Sequence, residues 1–259
     1  MHLLIDIGNS TVVAAIEHNN GKIVSTWRFD TIKNQTPDYY IDNLMSGLSQ
    51  YGVNVNDIKK TAISSVVPEI NGRFVDAVYK ITNTVPRFFT IADVMAVLNV
   101  DVESPEQVGK DRLADAIGAA ESYGYPTIII DMGTATTVGV VTTERKFIGG
   151  MIIPGVKTGH RALCERASQL HEIDEWKASN IIGRNTKECM QSGMIFATAC
   201  MIDGIIDRIS NQFDTKFIVV ATGGMSSVIV PYCKHKIIID KHLLLKGIYH
   251  AVIASNKKK

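Results

Sequence analysis

A short motif occurs twice in the chain, and the spacing of its two copies constrains the fold. Residues 3–13 read LLIDIGNSTVV and residues 128–138 read IIIDMGTATTV. Each copy has an apolar run, an Asp, a spacer, a Gly and small polar residues before a second β-branched run, which predicts a strand, a tight turn and a returning strand. The aspartates, Asp6 and Asp131, lie 131 − 6 = 125 residues apart in a chain of 259. We therefore expect two similar domains, each contributing one turn.

The chemistry of these turns suits a phosphate. Gly8 and Gly133 allow the backbone to approach a ligand closely, and successive N–H groups in such turns form an anion-binding concavity. Each Asp is then available to organise a cation. Two such turns facing one another across a cleft would hold phosphates, so the residues predict ATP-dependent phosphoryl transfer.

Two other phosphate signatures are absent from the sequence. No Gly-x-Gly-x-x-Gly follows a strand, which argues against a dinucleotide-binding fold. The nearest approach to a P-loop, Val108-Gly109-Lys110-Asp111, lacks both the Ser or Thr after Lys and the Gly five residues earlier.

Composition indicates a globular protein with a small-molecule substrate. Hydrophobic residues make up 46% of the chain, enough for a sizeable core. The 27 Lys and Arg nearly balance the 26 Asp and Glu, so we expect neither a nucleic acid nor a membrane as partner. The four cysteines never form a Cys-x-x-Cys pair and are interpreted as reduced thiols. With no signal-like N-terminus and no apolar run near the ~20 residues of a membrane span, a cytoplasmic protein is expected.

The order of predicted elements repeats between the halves. In the first half we predict strands at 2–8, 11–18, 21–29 (after an Asn19-Asn20-Gly21 turn) and 61–67, and helices at about 37–51 and 106–123. In the second half we predict strands at 127–132, 135–142, 146–153, 216–221 and 236–240, and helices at about 185–213 and 241–254. Strands alternating with helices indicate an α/β fold with mixed sheets flanked by helices. The predicted domains are residues 1–122 and 123–259.

Three further segments carry candidate chemistry. Gly109-Lys110-Asp111-Arg112 falls near a helix start, where N–H groups can bind an anion; Asp111 could act as general base, although an Asp beside an Arg can also be a surface ion pair. The segments 149–155 and 222–224 are rich in glycine. Segment 149–155 either lines the cleft or serves only as a turn, and segment 222–224 either contacts the nucleoside or serves only as a helix start.

Together these motifs resemble the type III pantothenate kinases, which belong to the superfamily of actin and hexokinase. The motifs are Asp6-Ile7-Gly8-Asn9-Ser10, Gly109-Lys110-Asp111-Arg112, Asp131-Met132-Gly133-Thr134-Ala135-Thr136-Thr137, the glycine-rich segments 149–155 and 221–224, and Gly183-Arg184-Asn185-Thr186. The resemblance covers essentially the whole chain.

The resemblance implies two duplicated actin-like (ribonuclease H-like) domains with a cleft between them, in a homodimer whose substrate site lies close to the subunit interface. The implied reaction transfers phosphate from ATP, with Mg²⁺, to pantothenate, giving 4′-phosphopantothenate in the first step of coenzyme A synthesis. It assigns Asp111 as catalytic base and Asp131 as the ligand of a monovalent cation, K⁺ or NH₄⁺. The ATP contacts it implies are Asp6, Ile7, Gly8, Asn9, Ser10, Thr11, Val12, Val13 and Thr134. The pantothenate contacts are Gly109, Lys110, Asp111, Arg112 and Thr186.

The sequence departs from the family pattern at several positions. Val102 replaces a Tyr, Lys110 a small residue, Asp115 an Asn, and Gly139 an Asp. These changes fall on the acceptor side or around the cation. The changes at Val102 and Lys110 leave open a kinase with another small-molecule acceptor, and the resemblance itself leaves open a non-catalytic accessory protein of the same fold.

Overall fold

The structure is a computed structural model that describes residues 1–18 and 21–254. Asn19 and Asn20 of the predicted turn lie outside the described residues. The chain forms two compact units. Unit 1 contains Met1–Ser122 and the segment from His242 onwards, and unit 2 contains Tyr123–Lys241.

Unit 1 is built on one mixed sheet. Its elements before the crossing to unit 2 are β1 His2–Ile7, β2 Thr11–Glu17, β3 Ile23–Asp30, α1 Pro37–Gln50, β4 Lys60–Ser65, α2 Asn71–Thr82, β5 Arg87–Phe88, α3 Ile91–Met95, β6 Asn99–Val100 and α4 Lys110–Tyr123. The strand order is β3-β2-β1-β4-β5. β2 is antiparallel to β1 and β3, whereas β4 is parallel to β1 and β5. β1 lies centrally; Asp6 is partly buried and the other five residues are buried, which explains the nearly continuous apolar run in the sequence.

Unit 2 repeats this arrangement. Its elements are β7 Thr127–Met132, β8 Ala135–Val141, β9 Lys146–Pro154, α5 Val156–Arg166, α6 Thr186–Ser192, α7 Thr198–Phe213, β10 Ile218–Thr222, α8 Ser226–Ile229 and β11 Ile238–Ile239. Within the unit the strand order is β9-β8-β7-β10-β11, with β8 antiparallel to both neighbours and β10 parallel to both of its own. The predicted α/β fold with mixed sheets flanked by helices is confirmed.

The two hairpins differ in length by one residue. Asp6 pairs with Val13 across β1 and β2, a separation of 13 − 6 = 7 residues. Asp131 pairs with Thr137 across β7 and β8, a separation of 137 − 131 = 6. The first turn therefore carries one additional residue, although both begin with a Gly directly after the strand.

The C-terminal helix corrects one predicted domain boundary. The segment 242–259 was assigned to the second domain, but from His242 onwards the structure places it in unit 1. Here α9, Leu243–Ile248, continues into a π-helical turn, Tyr249–Ala254. A Cβ at Gly118 of α4 would overlap the Leu243 carbonyl, and one at Gly247 would overlap that of Ala114. Small residues on both helices permit this close backbone contact, which an apolar periodicity alone does not reveal.

The predicted long helix over 185–213 is confirmed as one continuous helix, Thr186–Phe213, with a π-helical stretch inside it. It consists of α6, a π-helical stretch Gly193–Ala197, and α7. The region Thr186–Phe213 is long and apolar enough to cross a membrane by length and composition. Its buried residues, including Ile195, Ile202 and Ile206, belong to the unit 2 core. The apolar composition is thus that of a core helix.

Candidate active site

The backbone of the first turn is held by one hydrogen bond across the hairpin and by two from Thr31. Gly8 N donates to Thr11 O at 3.1 Å, and Thr31 donates through Oγ1 to Gly8 O at 2.7 Å and through its N to Ser10 O at 3.0 Å. Asn9 and Ser10 are exposed at the tip. Of the residues predicted to contact ATP, Ile7 and Val12 are fully buried core side chains. Their contribution to a ligand site is therefore to fix the backbone.

Asp6 lies at the end of β1 in an environment that disfavours its charged form. Burial raises the pKa of its carboxyl from 3.8 to about 6; the Ser64 hydrogen bond opposes this shift, and the negative charge of Asp111 adds to it. Ser64 is the residue of β4 paired with Asp6 in the parallel register. The structure thus brings Asp6, Ser64 and Asp111 into one group within unit 1.

Ser64 was not among the predicted site residues. In the sequence it is one polar residue in the predicted strand 61–67, and only the register of β4 against β1 places it beside Asp6. A polar residue near the C-terminal end of an otherwise apolar parallel strand was the available signal, since ligands bind at that edge of such sheets.

Asp111 is presented by the first turn of α4. This helix begins at Lys110, later than the predicted start near residue 106, because a separate 3₁₀ turn occupies Pro105–Gln107. Asp111 is exposed, and its Oδ1 accepts the backbone N–H of Arg112 at 2.8 Å. The helix behind it is buried from Leu113 through Ala120. A buried helix thereby fixes an exposed carboxylate, a suitable arrangement for a group that must meet a substrate.

The second turn is braced by the start of α5. Gly133 N donates to Ala135 O at 3.0 Å. The carbonyl of the exposed Thr134 accepts hydrogen bonds from Gly155 N at 3.1 Å and Thr158 Oγ1 at 2.7 Å. A Cβ at Gly155 would overlap the carbonyl oxygens of both turn residues. The glycine at the end of segment 149–155 is therefore explained by contact with this turn.

Asp131 lies at the end of β7, beside the backbone of a glycine, Gly223. It pairs with Thr222 of β10, and the next residue, Gly223, has φ +83°. A Cβ there would overlap Asp131 Oδ1 and lie 2.6 Å from Met132 N. The glycines after β10 thus allow the chain to pass directly against this carboxylate.

A cavity of about 490 Å³ adjoins the second turn. Its lining includes the turn residues Gly133 and Thr134, the cationic Lys157 and Arg161 of α5, and Gly224. The volume is typical of small-molecule sites. The lining also includes the carboxylate of Glu165, so the two cations leave a net positive charge, which favours an anionic ligand. It is the feature of unit 2 that best fits a nucleotide.

Thr186 and Asp111 belong to different units. Thr186 is exposed at the start of α6, after Asn185, whose Oδ1 accepts the Glu188 N–H at 2.9 Å. The predicted residues consequently form two sets: residues 6–13 and 109–112 in unit 1, and Asp131, Thr134 and Thr186 in unit 2.

The described residues contain no preformed metal cage. Across 1–18 and 21–254, no three His, Cys, Asp or Glu side chains gather in a way that could hold a metal ion. Mg²⁺ in phosphoryl-transfer enzymes usually takes only one or two carboxylates and completes its shell with substrate phosphates and water. The single carboxylate of Asp6, at the end of β1, fits that chemistry.

Comparison with known proteins first defines the class. A Baf family protein of Campylobacter jejuni superposes with a TM-score of 0.59 at 17% identity, covering 99% of this chain and 100% of the other. A ROK hexokinase of Thermus thermophilus gives 0.53 at 11%, covering 100% and 99%. The chain therefore shares the fold of these two proteins.

Sequence comparison then gives the family. The model of the family described as type III pantothenate kinase matches residues 2–208. The type III pantothenate kinase of Dictyoglomus turgidum is 36% identical over 252 residues, covering 96% of this chain and 98% of the relative. The chain belongs to the type III pantothenate kinases, and the prediction of an enzyme with that family's activity is confirmed.

Proposed function

We propose that the protein transfers the γ-phosphoryl group of ATP to the primary hydroxyl of pantothenate, with Asp111 as the catalytic base. The observation that carries the assignment is the placement of Asp111, an exposed carboxylate on a buried helix, close enough to Asp6 to raise its pKa. Family membership supplies pantothenate as acceptor.

In this mechanism Asp111 orients the hydroxyl and accepts its proton while the oxygen attacks the γ-phosphorus in line and ADP leaves. Lys110 and Arg112 place positive charge on either side of this carboxylate, where the anionic acceptor would bind. Asp111 acts chiefly by positioning, since phosphoryl transfer depends mainly on alignment and electrostatic stabilisation.

The two turns are proposed to hold the nucleotide. The N–H groups around Gly8 and Thr134, with Lys157 and Arg161 beside the second turn, would bind phosphate oxygens. Mg²⁺, when bound with ATP, neutralises charge that develops on these oxygens. Asp6 would face this ion, and a nearby cation would favour its ionised form despite its burial.

A monovalent cation, K⁺ or NH₄⁺, is proposed at Asp131. Support comes from the partly buried carboxylate at the strand end and from the bare backbone of Gly223 against it. Oxygen ligands of this kind suit a hard cation.

A homodimer with the substrate site near its interface is also proposed, in a cytoplasmic enzyme. Unit 2 exposes large apolar side chains, with Ile152 at 68%, Ile181 at 66% and Ile182 at 79%. Exposed apolar surface of this kind is common at subunit interfaces. Ile182 lies four residues before Thr186, so covering it would bring a partner close to a predicted pantothenate contact. Sedimentation of the native chain and of an Ile182→Lys variant tests this, and a monomeric native chain contradicts it.

A coupled ADP-release assay tests the reaction. With pantothenate, the native enzyme should release ADP, and Asp111→Asn should lower turnover by about 10²–10⁴-fold, the usual contribution of a general base. Asp111→Asn should retain ATP binding, measured by calorimetry. Asp42→Asn, an exposed aspartate on α1, is the matched control. Normal turnover in Asp111→Asn would remove this residue from the mechanism, and no pantothenate-dependent ADP release would refute the proposed acceptor.

A further inference from the structure

A second cavity lies in unit 1, at the end of its sheet opposite to Asp6. It has a volume of about 430 Å³ and includes Gly21, which follows β2. β2 ends at Glu17, which pairs with His2 at the start of β1, whereas Asp6 lies near the end of that strand. Six polar side chains from three separate segments contribute to the lining: Lys22, Glu121, Ser122, His242, Lys246 and His250.

A buried polar network lies behind Gly21 of the cavity lining and holds its backbone. Glu17 is fully buried, and its carboxylate accepts the Gly21 N–H at 2.7 Å and contacts His2 Nδ1 at 2.6 Å. The His2 ring lies 6.0 Å from the Tyr249 ring, which in turn lies 5.2 Å from that of His250. Because buried hydrogen-bonded groups resist rearrangement, the lining is preorganised.

Gly21 keeps the wall open beside His250. It has φ +85°, and a Cβ there would lie 3.3 Å from His250 Nε2. The backbone conformation therefore favours glycine, and a side chain here would crowd the imidazole of His250.

The charge of the lining favours an anion. The lining contains two lysine ammonium groups and two imidazoles but only one carboxylate, that of Glu121. Lys246, His242 and His250 are half-buried, so their N–H groups are partly withdrawn from bulk water and interact more strongly with a bound charge.

We propose that this cavity binds a small phosphorylated metabolite at a site separate from the proposed catalytic residues. The lysine and histidine donors come from two segments of the lining, Lys22 and residues 242–250, and several N–H donors suit a phosphate, which has more acceptor oxygens than a carboxylate. Ser122 and Glu121 would accept hydrogen bonds from hydroxyls on the rest of the ligand. The inference does not depend on pantothenate being the acceptor.

A ligand in this cavity would contact both segments at which the chain passes from one unit to the other. The chain leaves unit 1 after Ser122 and returns to it at His242, and both residues line the cavity. A ligand held here would restrain the two segments through which the units are connected.

Titration with glycerol 3-phosphate tests the site, using the full-length protein saturated with a non-hydrolysable ATP analogue so that the proposed nucleotide site is filled. Imidazole resonances of His242 and His250, assigned by His→Gln variants, should shift saturably at millimolar ligand or below. Inorganic phosphate should shift the same resonances. Glycerol should not, and an equal response to glycerol, or tighter binding of succinate than of either phosphate, would overturn the assignment of ligand class.

Paired lysine variants separate a specific site from general charge. Lys246→Gln should weaken glycerol 3-phosphate binding at least tenfold, whereas Lys80→Gln, an exposed lysine of α2 paired with Asp38, should leave it unchanged. Lys22→Gln, at an exposed position, provides a second test that does not depend on the packing of α9. Unchanged affinity in both Lys246→Gln and Lys22→Gln, or no saturable shift in the native protein, would refute the proposal. ADP release with pantothenate is measured in parallel, so failure of the proposed reaction is detected separately.

Discussion

Replacing Asp6 by Asn should make the folded protein more stable at neutral pH while impairing catalysis. The carboxyl of Asp6 has a pKa of about 6 in the folded structure against an ordinary value of 3.8. The difference, 6 − 3.8 = 2.2 pH units, corresponds to about 3 kcal/mol at 1.36 kcal/mol per unit. This is the free energy by which folding disfavours the ionised carboxylate.

The sign follows from proton linkage. Because the folded-state pKa is raised, Asp6 contributes most favourably below pH 3.8, where it is protonated in both states. That contribution is lost as the pH rises through about 6. An Asn cannot ionise. The stability of Asp6→Asn relative to the native chain should therefore be near zero below about pH 3, about 0.6 kcal/mol at pH 4, and up to about 3 kcal/mol above pH 7.

Urea unfolding at a series of pH values between 4 and 8 measures this difference. Asp42→Asn on the exposed surface of α1 serves as control and should change stability by no more than about 0.5 kcal/mol. ADP release should fall in Asp6→Asn, so that stability and activity change in opposite directions. A stability difference that does not vary with pH, or an Asp6→Asn protein less stable than the native chain at pH 8, would refute the argument from burial.

Three shorter tests concern the glycines and the cation. Gly223→Ala should lose about 1–3 kcal/mol of stability through overlap with Asp131 and strain at positive φ, whereas Gly224→Ala, with open space around it, should be tolerated; thermal melts that rank them equally contradict this. Gly247→Ala should lower the free energy of unfolding by a similar amount, because its Cβ would overlap α4. Gly72→Ala, in open space on α2, should raise that free energy by about 0.5–1 kcal/mol through higher helix propensity. Urea unfolding measures both. If Asp131 holds a monovalent cation, ADP release should require K⁺ or NH₄⁺, and a full rate in Na⁺ alone would count against that site.

The repeated strand–turn–strand pattern was predictable because its signals are local. Alternation of apolar runs with Gly and small polar residues fixes each hairpin within about fifteen residues, and β7 spans the predicted 127–132. The short helix α3 was missed, since it is only five residues long and is stabilised by a Thr90–Asp93 capping box rather than by an apolar face.

Features that depend on long-range register could not be obtained from the sequence. The pairing of Ser64 with Asp6 joins strands more than fifty residues apart, and Gly155 is explained only by its contact with Gly133 and Thr134. The same reasoning applies to α9. Its apolar sequence predicts a buried helix but does not specify which of two similar sheets it covers.

The return of the chain to unit 1 at His242 has a consequence for synthesis on the ribosome. Unit 2 is one uninterrupted stretch of polypeptide, whereas unit 1 lacks the helix that packs on α4 until α9 has been translated. During translation unit 2, although it is encoded later than most of unit 1, can therefore finish folding first. Until then the N-terminal sheet has one flank uncovered, so a truncation that removes α9 should damage unit 1, at the beginning of the chain, more than unit 2.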